Sequence, residues 1–237
     1  MERQYRKLEI TPDSLLGCRF FDRLERADRA HIAQFCEGRC YRADTEIIRH
    51  GDTSRDVFFI LSGQVDARLL TSKGKDLIFQ ELGRGEMFGE LAAIDGEPRS
   101  MSVLSRVETS VIRISGPNFK DIVARIPSLA ELIMLRLCAL SRYLCVRLEE
   151  VLAYSVPDQI RLEVIRIVSK HPSVNGAVTI EPAPTHEEIA RRLGTNREQV
   201  TRVMGDFAKR GVIIQTRQSW YTADVTQVRL MSEINGA

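Results

Sequence analysis

The hydrophobic period of this chain changes once, from two residues to between three and four, and the change marks parts that cannot share one kind of layer. From Tyr41 to Ile114 apolar and polar residues alternate, interrupted by turn residues at short intervals: His50-Gly51-Asp52, Ser62-Gly63, Ser72-Lys73-Gly74, Gly83-Arg84-Gly85, Asp95-Gly96 and the Arg106–Thr109 region. Period two with frequent turns predicts strands over Thr45–Arg49, Val57–Leu61, Gln64–Leu70, Leu77–Leu82, Ser102–Ser105 and Ser110–Ile114. A jelly-roll-like antiparallel β-roll is the expected closure. After Pro127 the pattern turns helical. Ile133, Leu137, Leu140, Leu144, Leu148 and Val151 fall three or four apart, giving a helix to about Ser155 with a nearly continuous apolar stripe. At about 42 Å such a helix outruns one barrel, so a two-fold partner helix is its expected cover. Before the strands, a helix starting at Asp13 or Ser14 and a short second one over Asp28–Cys36 are expected.

Composition narrows the function classes. With 237 residues, 43% hydrophobic and 28% charged, the chain is long enough for a sizeable core. No apolar run approaches a membrane span, and MERQYRKLEITPDS lacks the apolar centre of a secretion signal, so a cytoplasmic protein without membrane contact is expected. Five cysteines include no CxxC pair. Cys36 and Cys40 would share one helix face, yet no other ligands complete a set around them, and no metal is expected. The net charge of +2 leaves nucleic acid open as a partner, because one basic face suffices.

The last third is punctuated as a DNA reader. Val156-Pro157-Asp158 marks a hinge, followed by a helix over Asp158–Lys170, a turn to Gly176 and a strand Val178–Ile180. Thr185-His186-Glu187-Glu188 is a capping box, and Gly194 stops its helix. A second helix starts at Thr195 or Asn196, either of which has a suitable partner three residues on. Val200, Val203, Met204 and Phe207 share one face; Arg197, Glu198, Thr201 and Arg202 share the other. Arginine pairs with guanine and glutamate accepts from cytosine, so these are candidate base readers in a helix-turn-helix. Val212–Ile214 and Trp220–Tyr221 around Thr216–Ser219 read as a β-wing, with Arg217 at its tip near a phosphate.

A third cluster lies in Phe88–Val103, FGELAAIDGEPRSMSV. Glu90 is an acceptor for sugar hydroxyls. Arg99 and Ser100 are a cation and a donor for phosphate, and amides near Gly89 can face an anion. This is a kit for one cyclic nucleotide. The plainer alternative is a turn with a surface Glu90–Arg99 ion pair.

GEMFGELAAIDGEPRSMSV, VPDQIRL and LGTNREQVTRVM together make the chain resemble the CRP/FNR family of bacterial transcription regulators, and best its cAMP-receptor branch. The resemblance covers nearly the whole chain. It implies an α+β plan: a cyclic-nucleotide-binding β-roll over 1–127, a dimerisation helix over 128–155 and a winged helix-turn-helix over 156–237. It implies Glu90 on the ribose, Arg99 and Ser100 on the cyclic phosphate, and Gly89 and Leu91 shaping the loop. Arg197, Glu198 and Arg202 would read a TGTGA-like half-site, with Thr185 at a backbone phosphate. The loop Lys170–Gly176 would touch RNA polymerase. Departures concern the base. Met101 follows Arg-Ser where many cAMP binders have a small residue, and Leu144-Cys145 stand where the branch reads adenine with Thr-Ser. Ser141, one turn from Cys145, completes the candidate base contacts. The ligand is thus expected to be cAMP or cGMP. The family's iron–sulfur branch has an N-terminal cysteine cluster that this sequence lacks. A member responding to another effector, or to none, is the rival regulator. An enzyme would need a metal cluster or an acid/base pair beside Arg99 and is not expected.

Overall fold

The structure is a computed structural model that describes residues 5–71, 74, 76–216, 219–222, 226–228 and 230. Its first unit is built on strand pairing. The strands are β1 (Tyr5–Leu8), β2 (Cys36–Tyr41), β3 (Glu46–Ile48), β4 (Val57–Ser62), β5 (Gln64–Leu70), β6 (Asp76–Gly83), β7 (Met87–Phe88), β8 (Ser102–Ser105) and β9 (Thr109–Ile114). They form a five-stranded sheet of order β1-β2-β9-β4-β7 and a four-stranded sheet of order β3-β8-β5-β6. Period two does its expected work in β4. Phe58 and Ile60 join Val65, Leu82, Val103 and Val111 in a core drawn from both sheets. Val57 and Phe59 point the other way, into a second core with Leu15, Phe20, Phe21, Ile32, Phe119 and Ile122. The β-roll and the α+β class are as the sequence predicts.

The N-terminal expectation fails in part. Helix punctuation from Asp13 gives only a 3-10 turn, Pro12–Leu15, which ends where Leu16 turns extended at ψ 141° and Gly17 follows at φ 88°. The first true helix is α1 (Arg26–Ala33), and Cys36 already lies in β2 rather than in a helix. Six residue pairs with β9, from Cys36↔Ile114 to Tyr41↔Thr109, outweigh local propensity there. Cys36 and Cys40 therefore share a strand face, not a helix face. Burial pushes the Cys36 thiol up to about 12 and the Cys18 thiol up to about 11, which suits packing rather than reaction.

After β7, Gly89 leads into α2 (Glu90–Asp95), and α3 (Gly116–Arg125) follows β9. Helix α4 (Pro127–Ala153) is the expected long helix, but its stripe does not face one way. Leu129 and Ile133 are buried with Leu137 packed beside them in the first unit's core, whereas Leu144, Leu148 and Val151 are exposed. An exposed seam also runs through Met134, Cys138, Ser141, Cys145, Leu148 and Leu152, alternately four and three residues apart. The chain clusters into two compact units that divide within α4, at Leu140 and Ser141, with Asp76 and Leu77 at the start of β6 grouped with the second.

The second unit holds the end of α4, then α5 (Val156–Ser169), β10 (Val178–Ile180), α6 (His186–Leu193), α7 (Arg197–Lys209), β11 (Ile214–Gln215) and β12 (Trp220–Thr222). Ser155 caps α5 and Pro157 sits in its first turn, so the break falls just before the expected hinge residues. Ile160, Val164, Ile189, Val200, Phe207 and Trp220 are among its buried core. The three-stranded sheet β10-β12-β11 is the wing. Arg217 lies outside the described residues, as do Ser72 and Lys73 of one predicted turn.

Candidate functional site

The first unit contains a solvent-open cavity lined by Gly89, Glu90, Leu91, Arg99, Ser100 and Met101 together with β6 residues and Arg136 and Leu140 of α4. Gly89 makes the turn possible. Its φ is 84°, and an added Cβ would stand 2.8 Å from both the Asp56 carbonyl oxygen and Arg99 Nη1. That conformation sends the chain into α2 with Glu90, 5% exposed, at the cavity wall.

Arg99 is 3% exposed and held from all sides. Its Nη1 donates to the Gly89 carbonyl at 2.7 Å, its Nη2 to the Asp56 carbonyl at 2.7 Å and its Nε to Ser54 Oγ at 3.2 Å. Its backbone N–H also donates to the Asp52 carbonyl at 2.8 Å. Three of the guanidinium's five N–H groups are thus engaged, leaving two for an anion. Burial pulls its pKa down, opposed by Asp56, Asp52 and Glu90. Burial raises the Glu90 carboxyl above its ordinary range, opposed by its own backbone N–H, then Arg136 and Arg99. Glu90 and Arg99 are therefore no surface ion pair; both are buried at one cavity. Ser100 is exposed beside it and Leu91 half-buried.

The structure does not bring all the expected base contacts to this cavity. Ser141, Leu144 and Cys145 are exposed on α4 and are absent from its lining, which takes Arg136 and Leu140 from that helix. The sequence reading missed Arg136. Its signal was a cation spaced three and four residues from Ile133 and Leu140 on an apolar stripe. It also missed Ser54, Asp52 and Asp56, loop residues distant in sequence from the Arg99 they hold.

In the second unit, Thr185 caps α6 through the expected reciprocal box, accepting from the Glu188 N–H at 3.2 Å while Glu188 Oε2 accepts from the Thr185 N–H at 2.6 Å. Gly194, at φ 66°, ends α6. The open cap of α7 is Asn196, whose Oδ1 accepts from the Gln199 N–H at 2.9 Å. Val200, Val203, Met204 and Phe207 are buried, and Arg197, Glu198, Thr201 and Arg202 are exposed. Arg197 and Arg202 form no ion pair among the described residues, so both cations are presented to solvent. Thr201 is exposed but engaged: its hydroxyl donates to the Arg197 carbonyl at 2.9 Å and meets His186 Nδ1 at 2.9 Å. No group of His, Cys, Asp or Glu able to hold a metal occurs among the described residues.

Two family models fit these halves: "Cyclic nucleotide-binding domain" matches residues 38–126 and "Crp-like helix-turn-helix domain" matches residues 160–229. The chain belongs to the CRP/FNR family of transcription regulators. Its first unit carries the family's cyclic-nucleotide-binding domain and its second the DNA-binding domain.

Among curated relatives, the CRP-like cAMP-activated global transcriptional regulator of Mycobacterium tuberculosis is 25% identical over 70% of this chain and 75% of its own. Among solved structures, a CooA variant from Carboxydothermus hydrogenoformans superposes with a TM-score of 0.76 at 17% identity, covering 96% of this chain and 98% of its own. The c-di-GMP responsive regulator CLP of Xanthomonas campestris does so with a TM-score of 0.69 at 19% identity, covering 84% and 99%. At those identities the structures establish the CRP/FNR fold, while the family members' effectors differ by name.

Proposed function

We propose that this CRP/FNR regulator is a homodimer that binds cAMP or cGMP in the first unit and a palindromic, TGTGA-like operator with α7. The observation that carries the reading is the pair Glu90 and Arg99, both buried at one open cavity with two guanidinium N–H groups left over. Glu90 accepts from the ribose 2′-hydroxyl, Arg99 and Ser100 hold the cyclic phosphate, and Gly89 and Leu91 shape the loop. Relatives described as cAMP-activated support the ligand class. Ser141 and Cys145, exposed on α4, belong in this reading to the helix seam rather than to the base, and Leu144, exposed beside them, has no group to hydrogen-bond a base.

The dimer closes on the seam of α4, and the ligand acts by favouring the arrangement in which two α7 helices lie about 34 Å apart, one DNA turn. Arg197, Glu198 and Arg202 read bases, Thr201 lends its methyl, and Thr185 sits at a backbone phosphate. The loop Lys170–Gly176 is a candidate RNA polymerase contact, and the protein acts in the cytoplasm. A different effector is the second reading, favoured by the c-di-GMP responsive neighbour.

Fluorescence anisotropy on a palindromic operator, with and without each nucleotide, tests this. Affinity should rise by about tenfold or more with cAMP or cGMP, as coupling free energies of this kind imply. Arg99→Lys should lose most of that rise. Equal operator affinity with and without both nucleotides would overturn the effector assignment.

A further inference from the structure

We propose that Arg136 selects the base of the bound nucleotide, and that the base it selects is guanine. The inference rests on the cyclic-nucleotide reading of the cavity and deepens it. Among the lining residues, Gly89, Glu90, Arg99 and Ser100 account for a sugar and a phosphate. The remaining wall is apolar apart from two side chains, Gln80 of β6 and Arg136 of α4, set among Phe79, Leu82, Met101 and Leu140. A flat heterocycle fits such a wall, and those two side chains are what it can hydrogen-bond.

Arg136 has unmet donors. Its Nη2 makes one long contact, 3.4 Å to the Met87 carbonyl oxygen, and its Nε is buried without a hydrogen-bond partner. Glu90 shares its field but forms no ion pair with it. A guanidinium has five N–H donors and no acceptor, so it rewards a ligand edge made of acceptors. Guanine offers two side by side, O6 and N7, which match the planar fork. Adenine puts its 6-amino donor beside N7 and sets donor against donor. The phosphate needs Arg136 least, since Arg99 keeps two free N–H groups and Ser100 stands exposed beside it. Because Arg136 belongs to α4, base choice is read on the long helix itself.

Calorimetry on the full chain with cGMP, cIMP and cAMP tests this, cIMP having O6 and N7 but no 2-amino group. Wild-type protein should bind cGMP and cIMP alike, and both about tenfold or more tighter than cAMP, the discrimination of one bidentate pair. Arg136→Lys keeps the charge without the fork and should bring the cGMP and cAMP affinities within about twofold of each other. Arg136→Gln, able to pair with adenine N6 and N7, should reverse the preference. The proposal is overturned by wild-type cAMP affinity equal to or above that for cGMP, or by cIMP behaving like cAMP. An equal loss of both natural nucleotides in the variants also overturns it, placing Arg136 on the sugar-phosphate they share. The cIMP comparison uses wild-type protein alone and stands whatever the variants' folding. Failure of all three to bind the wild type would remove the cyclic-nucleotide reading as well, an outcome distinct from binding without preference.

Discussion

Glu90 is a carboxylate kept at a cost until something uses it. Burial raises its pKa, so the folded state binds its proton more tightly than the unfolded state does. The sign follows: the native state holds more protons than the unfolded one between the two pKa values, and stability falls as pH rises through that window. Above the raised value the cost is fully present. Glu90→Gln should therefore raise the melting temperature of the ligand-free protein at pH 7. It should also weaken nucleotide binding by about tenfold or more, the loss of a hydrogen bond to a charged acceptor. Calorimetry alongside a thermal melt checks both; a variant that loses stability and keeps affinity would contradict the argument. Gly89 is constrained differently. At φ 84°, with the Asp56 carbonyl and Arg99 Nη1 each 2.8 Å from a would-be Cβ, Gly89→Ala should cost about 2 kcal/mol or more and displace Arg99. A melt within experimental error of wild type would show that the loop relaxes freely.

At the scale of elements, what was legible in the sequence depended on whether its signal was local. The two faces of α7 were readable because 3.6-residue periodicity assigns them before any tertiary contact forms. The cavity pair Glu90 and Arg99 was readable because both lie in one short segment around Gly89. The start of β2 was not, since CEGRCY becomes a strand by pairing on one side with β9, where Cys36 meets Ile114, and on the other with β1, both far away in sequence. Nor was the way α4's apolar stripe divides, because periodicity marks which residues are apolar but not which of them the molecule's own core will claim. Ile133 and Leu137 went to that core, leaving Leu144, Leu148 and Val151 of the stripe exposed beside Met134 and Leu152. Leu148→Glu would place a carboxylate on each side of a two-fold there and should cost the dimer about 3 kcal/mol or more. Sedimentation at micromolar concentration should then show a monomer, and an unchanged dimer would move the interface elsewhere. In α7, Arg197→Ala should relax base choice at one half-site position, whereas an equal loss on all sequences would reduce it to a phosphate contact.

For the molecule as a whole, the question is how a helix that divides between two compact units passes on what happens at one of them. In the second unit the end of α4 is fastened by charge. Arg147 donates to Glu150 Oε2 at 2.7 Å and to the Arg192 carbonyl at 3.2 Å, Arg166 bonds both Glu150 and Glu163, and Arg192 donates to Glu163 Oε1 at 3.1 Å. Glu150 and Glu163 are both buried. One network thus joins α4, α5 and α6. Burial alone would raise the Glu163 carboxyl, but Arg166, Arg192 and Arg147 together hold it below its ordinary range. A depressed folded pKa contributes stability that is present above the unfolded value near 4.5 and lost as pH falls through the folded one. Removing one member of a buried charge network typically costs about 3–5 kcal/mol, because the partners are left uncompensated. Glu163→Gln should accordingly lower the melting temperature of the second unit and flatten its loss of stability in acid. It leaves the cavity residues untouched, so nucleotide affinity measured without DNA should stay within about twofold of wild type, as for distant sites. If the network carries the ligand's effect to α6 and α7, the gain in operator affinity on adding nucleotide should shrink. A variant with full nucleotide response and reduced stability would make the network a structural fastening and place the coupling elsewhere in α4.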